Sequence, residues 1–271
     1  MATQVSVLDK NGTVTFYSTY AAARSAAGNG TSDHNLIQIW SNLNEQIILK
    51  DKVDIWIAEG VVLNNLGVSL TSSFITVTDD GVECHCSIFG NGIIKATFQG
   101  TGGTPVYECI KTTHPNTELS VECDHIEGVG GTTNDTNKIQ HPSIHISSGK
   151  KFSLKCNKIY NHRTCAIYLG LNSTFSNPTN IIEEITIDVK KIEIGNSSES
   201  LSQSIAIASS ANGFIDVDEV VCRHWGHCFL QMRGDITAKI RKLSTYTNNN
   251  GDRDPVVTIN HGGSYSPKLI L

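Results

Sequence analysis

The sequence Val121-Glu-Cys-Asp-His-Ile126 recurs in degenerate form along the chain as apolar, any, apolar, any, any, apolar. The last apolar position of each copy falls at residues 126, 159, 192, 220 and 243, which gives steps of 33, 33, 28 and 23 residues. A repeat of this length indicates a stacked architecture rather than a conventional globule. The further copies are Leu154–Ile159, Ile187–Ile192, Ile215–Val220 and Ala238–Leu243, with a weaker one at Cys84–Phe89.

A second apolar strand precedes most copies of the motif. Its alternation with period two indicates that each strand hides one face and exposes the other. Two or three short strands per turn build a parallel coil, in which each turn stacks ~4.8 Å above the last. These strands are Ser143–Ile146, Ala166–Leu169, Ser204–Ile207, Cys228–Leu230 and Val256–Ile259.

The inner positions of the motif hold Val, Ile, Leu, Ala and Cys, which suit a narrow interior with flat walls. The main alternative is a β-sandwich, which needs hairpin turns every ~8–12 residues. We do not expect the Asn-Gly and Asp-Gly pairs of this chain to join well-patterned strands. The pattern therefore predicts an all-β solenoid.

The N-terminal region reads as a cap. Ser18 and Thr19 can begin a short helix over Tyr20–Ala27, and Gly28 can end it. Solenoids need such caps because their first coil is otherwise an open apolar end. We therefore divide the chain into a cap with a short helix (residues 1–34) and a parallel β-helix (residues 35–271).

The stretch Ala21–Leu63 resembles the opening of pectin-lyase-like right-handed β-helices. In both, an Ala-rich helix leads to a strand, then to an "E-x-I" strand, here Glu45-Gln-Ile47, and then to a "V-x-I-x-I" strand, here Val53–Ile57. The later repeats resemble the same superfamily across nearly the whole chain. The resemblance implies a single-stranded right-handed parallel β-helix (solenoid) with an N-terminal capping helix. Within this superfamily, the Asn/Ser/Thr-rich surface is similar to the coils of phage tailspikes and tail fibres.

Composition argues against several classes of partner. The net charge is −5 and Lys and Arg are not clustered, which speaks against nucleic acid. No apolar run is long enough to cross a bilayer, and the start at Met1 lacks the features of a secretory signal. We therefore expect the chain to fold in a cytosol and its eight cysteines to be free thiols, mostly buried. No cofactor is expected.

The C-terminal residues Lys268–Leu271 match the first half of another motif copy. This predicts a coil that is left open or is continued by another segment or subunit, because an unpaired strand edge is a liability for a soluble protein. This feature favours a protein that is one component of a larger assembly over a protein that acts alone. The expected assembly is a homotrimer.

The middle position of the motif faces outward, and it places Asp188 beside Asp216 on adjacent coils. Two carboxylates ~5 Å apart have the separation that a retaining glycosidase uses. Lysines flank them, so that Lys155–Asp188 and Asp216–Lys239 pairs would make the pattern a plain charge ladder. The ladder is the favoured interpretation. No catalytic residue is assigned, and Asp188 and Asp216 remain the candidates for an active site.

Two short turns carry polar residues just before a cysteine, at residues 161–165 and 222–228. Arg163 and Arg223 could contact an acidic sugar, since Arg pairs well with carboxylates. His224 lies in the same turn, and Trp225 could stack on a sugar ring. The Cys and His spacing around residues 222–228 does not match a zinc site, so no metal is expected.

The links between coils differ in length. The longer ones are expected to emerge from the same edge of the stack, and insertions on one edge often mark a binding face. They lie at residues 130–142, 195–203 and 246–255.

The motifs of familiar β-helix enzymes have no match. The resemblance to polygalacturonase-like enzymes would require an Asp pair, a Gly-His-Gly and an Arg-Ile-Lys motif. Here Asp79-Asp80 lies far upstream, and Gly226-His227 is followed by Cys228. The catalytic Asp and Arg motifs of pectin methylesterase-like enzymes are also missing. The missing motifs therefore favour a protein that is not an enzyme. If it is an enzyme, we expect a polysaccharide hydrolase or lyase.

Three functions remain open at this point. The favoured one is a phage appendage protein of tail-fibre or tailspike type, which assembles in the host cytoplasm with other virion proteins and recognises cell-surface polysaccharide. The first alternative is a glycoside hydrolase or lyase on a β-helix scaffold. The second is a bacterial surface-binding β-helix, located outside the cell or at its surface.

Overall fold

The fold is a stack of β-strand coils with one short helix at its N-terminal end. The computed structural model describes residues 4–27, 35–65, 73–77, 83–97, 108–129, 142–161, 165–170, 182–195, 203–207, 211–222, 230–232, 235–245, 257–259 and 268–270. The helix α1 spans Tyr20–Ala26. In chain order the strands are β1 Val5–Leu8, β2 Val14–Tyr17, β3 Asn35–Ile39, β4 Leu43–Asn44, β5 Ile47–Leu49, β6 Val53–Ile57, β7 Val62–Asn64, β8 Ile75–Val77, β9 His85–Gly90, β10 Ile93–Thr97, β11 Ile110–Thr112, β12 Glu118–Val129, β13 Ile144–Ile146, β14 Gly149–Asn161, β15 Cys165–Leu169, β16 Ile182–Ile194, β17 Gln203–Ile207, β18 Ala211–Cys222, β19 Leu230–Met232, β20 Ile236–Thr245, β21 Val257–Ile259 and β22 Lys268–Ile270.

Two sheets run the length of the stack. The first has the order β2-β1-β3-β6-β9-β12-β14-β16-β18-β20-β22, and the second has the order β5-β8-β11-β13-β15-β17-β19-β21. From β3 onward every neighbouring pair is parallel, and the partners come from successive coils. The prediction of a single-stranded right-handed parallel β-helix with an N-terminal capping helix is confirmed.

The first sheet bends into two faces, so that each coil has three sides. The first half of β12 pairs with β9, whereas its second half pairs with β10, which continues onto β7 and β4. The bend explains the spacing of the motif. Asp124 and His125 lie together outside the coil, while Cys123 and Ile126 on either side of them are buried. The corner therefore takes one residue more than strict alternation would.

The inner columns follow the motif as predicted. The strands β12, β14, β16, β18 and β20 stack Val121, Leu154, Ile187, Ile215 and Ala238 in register, and all of these side chains are buried. The next inner column runs from Cys123 to Ile240 in the same way. Stacked apolar columns remove each side chain from water on both sides, which contributes roughly 1.5–3 kcal/mol for each large aliphatic side chain.

The weaker copy of the motif was assigned to the wrong register. Val121 pairs with Ile88, so the motif in this coil begins at Ile88 and not at Cys84. Phe89, which the sequence placed at an inner position, consequently faces outward beside Trp56. In this coil the corner consists of Gly90-Asn-Gly92 and not of two polar residues such as Asp124 and His125. The apolar residues on either side of the corner therefore do not have the spacing of the motif, and the copy could not be recognised.

The N-terminal segment contains an antiparallel hairpin as well as the helix. β1 pairs antiparallel with β2 and with β3, so the hairpin extends the first sheet beyond the first coil. The hairpin turn contains Asn11 and Gly12, and Gly12 has a φ of 82°, so the expectation that no such pair would join patterned strands was wrong at this position. Asp9 Oδ1 accepts from the backbone N–H groups of Asn11 and Thr13, which stabilises the turn.

The helix α1 begins at the predicted Thr19 cap and ends at Ala26, and Gly28, the predicted end signal, lies outside the described residues. The Thr19 hydroxyl accepts from the N–H of Ala22, and the Glu45 carboxylate accepts from the N–H of Tyr20 at 3.1 Å. The buried Tyr20 hydroxyl donates to the carbonyl of Ile48 at 2.8 Å. Arg24 Nε donates to the same carbonyl. These bonds attach the helix to the first coil.

Six cysteines are free and buried, which confirms the expectation for these positions: Cys84, Cys86, Cys109, Cys123, Cys156 and Cys165. Cys123 and Cys156 are register partners whose sulfur atoms lie 3.9 Å apart. Cys84 and Cys86 place their sulfurs 3.5 Å apart. The thiols act as small apolar side chains in the inner columns.

Candidate functional site

A furrow runs along the outer surface of the first sheet, parallel to the axis of the stack. Its floor is a column of small hydroxyl side chains on successive coils: Ser87, Ser120 and Ser153, continued by Thr186. Adjacent coils are ~4.8 Å apart, so the floor presents a hydroxyl at each such step. We call the site lined by Ser87, Ser120 and Ser153 the hydroxyl furrow.

Longer side chains stand on both sides of the floor and give the furrow its depth. One flank is the register column His85, Glu118, Lys151, Glu184. The opposite flank begins with Phe89 and continues as Glu122, Lys155 and Asp188. The hollow around the serines has a volume of about 570 Å³, and Lys52 also lines it. The shape follows from sequence alternation, because each strand offers a short side chain between two long ones.

The floor hydroxyls are available to a ligand. Ser87, Ser120 and Ser153 are each partly exposed, and their hydroxyls form no hydrogen bond with any group in the described parts of the chain. Each hydroxyl can both donate and accept. The backbone N–H of Ser87 donates to Asp54 Oδ1 at 2.7 Å, which fixes the first coil of the floor.

The lysines and glutamates on the flanks are held in ion pairs. Lys155 Nζ lies 2.8 Å from Glu122 Oε1, and Lys151 Nζ lies 3.3 Å from Glu184 Oε1. Hydrogen bonding to Lys150, 2.9 Å away, lowers the pKa of the Glu118 carboxyl. Each pair is exposed and contributes roughly 0–1 kcal/mol to stability. Their effect is to keep the flanks close to neutral.

Asp188 and Asp216 are register partners on neighbouring strands, as the sequence predicts. Their ion-pair partners differ from the expected ones. Lys155 pairs with Glu122 and not with Asp188, and both Asp216 oxygens accept from Arg241 and not from Lys239. The bidentate contact with Arg241 occupies the oxygens that a nucleophile or general base would need free. The outer column therefore reads Glu122, Lys155, Asp188, Asp216 and Lys239, with the two aspartates adjacent.

The other predicted site residues lie outside the described residues. Arg163, Arg223, His224 and Trp225 belong to this group, as do the long links at residues 130–141, 196–202 and 246–255. They remain predictions, as does the binding edge that they suggested. Within the residues that the structure describes, no group of three or more His, Cys, Asp or Glu side chains is placed to hold a metal ion.

Sequence reasoning missed the hydroxyl furrow. The signal was present as serine at the position before the motif in three coils, namely Ser87, Ser120 and Ser153. Serine at an exposed strand position has no chemical signature of its own, and only the stacking of the coils turns three separate residues into one surface.

A second polar cluster lies on the second sheet, and it is buried. Glu108 accepts from Ser73 Oγ at 2.6 Å and from His145 Nδ1 at 2.9 Å. Lys111 Nζ lies 3.3 Å from the same carboxylate, and Tyr168 stacks edge-on against the His145 ring with 5.2 Å between centroids. Burial raises the pKa of Tyr168 to about 12. Because the groups satisfy one another, this cluster joins coils and is not an open site.

Scans of protein-family models, of curated proteins and of solved structures give no match to this chain. In the described parts of the chain, no helix is long and apolar enough to cross a membrane. The site must therefore be interpreted from its own geometry.

Proposed function

We propose that the chain is a non-catalytic, glycan-recognising β-helix of a virion appendage of tail-fibre or tailspike type. The observation that carries the proposal is the hydroxyl furrow, a hollow about 570 Å³ in volume whose floor serines form no side-chain hydrogen bond within the described part of the chain. Sugars present rows of hydroxyl groups, and a floor of groups that both donate and accept can match them in either direction. A furrow open along the axis accommodates a chain, whereas a closed pocket accommodates a small molecule.

Three features support a binding rather than a catalytic role. Asp216 is held by Arg241, Glu122 and Glu184 on the flanks are paired with lysines, and hydrogen bonding to Lys150 lowers the pKa of the Glu118 carboxyl. A general acid would need a carboxyl with a raised pKa close to the bound sugar. Turnover of polysaccharide remains the alternative, and an acid supplied by a second subunit would be compatible with it.

The test uses two variants at one position. Ser120→Leu fills the furrow with an apolar side chain, whereas Ser120→Thr keeps the hydroxyl and suits a β-strand. We expect the wild-type protein to be retarded in gels that contain host cell-surface polysaccharide, Ser120→Thr to be retarded similarly, and Ser120→Leu to migrate freely. Equal retardation of all three proteins would show that the glycan does not bind in the furrow. If none of the three is retarded, the protein does not recognise the glycan.

Two further measurements separate the alternatives. Size-exclusion chromatography of the polysaccharide after incubation shows shortened chains if the protein is an enzyme, and chains of unchanged length if it only binds. Light scattering gives the assembly state, for which a homotrimer is expected of a virion appendage. A stable monomer would favour a surface-binding β-helix that belongs to no virus.

A further inference from the structure

Three aromatic rings form a cluster at the N-terminal end of the furrow. Trp56 and Phe89 are register partners on β6 and β9, and Trp40 meets Trp56 edge-on with ring centroids 4.7 Å apart. Trp40 has 47% of its surface exposed, whereas Trp56 and Phe89 are partly exposed. Phe89 follows Ile88, whose register partner Val121 precedes Glu122, so the aromatic cluster (Trp40, Trp56 and Phe89) lies at the start of the flank of the hydroxyl furrow.

The exposed ring of Trp40 is held in a fixed orientation. Its Nε1 donates to the buried Ser6 hydroxyl at 3.0 Å, and Ser6 Oγ in turn donates to Gln38 Oε1 at 3.0 Å. Gln38 is the register partner of Trp56, so the relay ends beside the second ring. The polar edge of Trp40 is thus satisfied by the protein. A large apolar surface fixed in water has an unfavourable hydration free energy, which a ligand that stacks on the ring can relieve.

The charge balance of the furrow restricts the chemistry of this ligand. Lys150, Lys151 and Lys155 are each within 3.3 Å of a glutamate oxygen. An acidic sugar would have to displace these carboxylates to reach a cation, and it would meet Glu118 and Glu122 in doing so. Lys52 has no carboxylate within ion-pair distance in the described ranges, and it is a single cation at one end. An uncharged ligand disturbs none of these pairs.

We propose that the aromatic cluster stacks on the C–H face of a pyranose ring in an uncharged glycan chain that runs along the hydroxyl furrow. This inference rests on the proposed function and names its ligand class. The flat rings supply apolar contact and the serines supply hydrogen bonds, whereas the lysines of the flanks are already paired with glutamates and give an acidic chain little to gain.

The first experiment identifies the class of glycan. The wild-type protein is applied to an array that holds uncharged and uronic-acid or sialic-acid oligosaccharides, at about 0.05 and 0.5 M NaCl. We expect the strongest signals from uncharged glycans, with less than about a twofold change between the two salt concentrations. Strongest binding to acidic glycans that falls with salt would overturn the inference, and no binding at all would overturn the proposed function with it.

The second experiment tests the cluster with the strongest uncharged ligand from the array. We expect Trp56→Ala to raise the dissociation constant by roughly tenfold or more, and Trp56→Phe to stay within about threefold of wild type, because phenylalanine preserves a stacking face. Since Trp56 lies inside a strand, Trp40→Ala at the end of β3 is the second variant, with circular dichroism as the check on folding. Full affinity in both alanine variants, together with lost binding in Ser120→Leu, would leave the furrow standing and end the stacking proposal.

Discussion

The Nδ1 atom of His145 donates to Glu108 Oε1 at 2.9 Å, across two neighbouring coils of the second sheet. The Nε2 atom of the same ring lies 3.0 Å from the carbonyl oxygen of Gly170. The ring faces an acceptor on each side, so it donates at both positions when it carries two hydrogens. A carboxylate that is 9% exposed is thereby held between coils in place of an apolar contact.

The first prediction concerns Glu108→Gln. We expect the free energy of unfolding to fall by about 2–4 kcal/mol, because the neutral amide leaves Lys111 and His145 without the buried charge that they now contact. Urea unfolding monitored by circular dichroism measures the change. The matched control is Glu122→Gln, whose exposed pair with Lys155 contributes roughly 0–1 kcal/mol. Equal losses in the two variants would contradict the role given to burial.

The second prediction concerns acid. Burial acts to raise the pKa of Glu108, but hydrogen bonds from His145 and Ser73 and the charge of Lys111 outweigh it and place the pKa at about 2, below the ordinary 4.5. A depressed carboxyl pKa stabilises the fold above the unfolded-state pKa, and the effect is lost as pH falls towards the folded-state value. We expect the stability difference between wild type and Glu108→Gln to narrow between pH 4.5 and about 2. Urea titrations at several pH values in this window check the expectation; a constant difference would contradict it.

The third prediction concerns Gly213, which lies where β18 changes register against β16. Its φ is +146°, and a Cβ atom there would lie 2.0 Å from the carbonyl oxygen of Ile185. We expect Gly213→Ala to destabilise the protein by more than about 2 kcal/mol, because the clash is with backbone that cannot give way. Gly60→Ala is the control, since Gly60 has a φ of +74° and open space around it. We expect Gly60→Ala to lower the free energy of unfolding by only about 1–2 kcal/mol, which is the backbone strain of a left-handed residue. Thermal unfolding of both variants then shows how much of the loss in Gly213→Ala comes from the clash with Ile185.

The fourth prediction concerns the thiols. Burial raises the pKa of Cys109 to about 12, and a hydrogen bond to a neighbouring thiol, together with burial, raises the pKa of Cys86 and of Cys123. The thiolate is the reactive form, so these cysteines should resist alkylation by iodoacetamide in the folded protein and react fully in denaturant. Peptide mass spectrometry reads each position separately. Labelling of Cys109 at the rate of an exposed thiol would show that the inner columns open more readily than the packing implies.

The fifth prediction concerns the charge ladder. Replacing both Asp188 and Asp216 by asparagine should leave any sugar cleavage unchanged, because Arg241 already engages the Asp216 carboxylate. Chromatography of polysaccharide after long incubation measures cleavage, and the single variant Arg241→Gln reports the stability contributed by the pair. Loss of an existing cleavage activity in the double variant would restore the two carboxylates as an active site.

The sequence predicted the repeat well and the outer surface poorly. The inner positions of the motif are right in five coils, since apolar side chains at these positions recur whatever lies between them. The outward position of Phe89 could not be predicted, because the corner Gly90-Asn-Gly92 contains no apolar residue that would show which neighbouring side chains point inward. The aromatic cluster was missed because Trp40 follows one strand and Trp56 lies in the next coil, so that only the stacking of the coils brings the rings together.

Ion pairs illustrate the same limit at closer range. Register pairs Asp216 with Lys239, as the sequence predicts, but the corner residue Arg241 is longer and reaches back to the Asp216 carboxylate. Register alone does not specify which of two nearby cations a carboxylate selects. That choice depends on where the side chains leave the bend.

The amino-acid pattern by itself determined that this protein is a parallel coil with apolar columns inside and a capped first turn, because period-two alternation and a repeat of about thirty residues act through local backbone geometry and burial. Only the tertiary structure decided that Ser87, Ser120 and Ser153 form one floor and that Trp40, Trp56 and Phe89 stand at its end. These surfaces join residues that lie about one coil apart in the chain. Their alignment also depends on the lengths of the corners, and the corner Gly90-Asn-Gly92 conceals it in the apolar spacing of its coil.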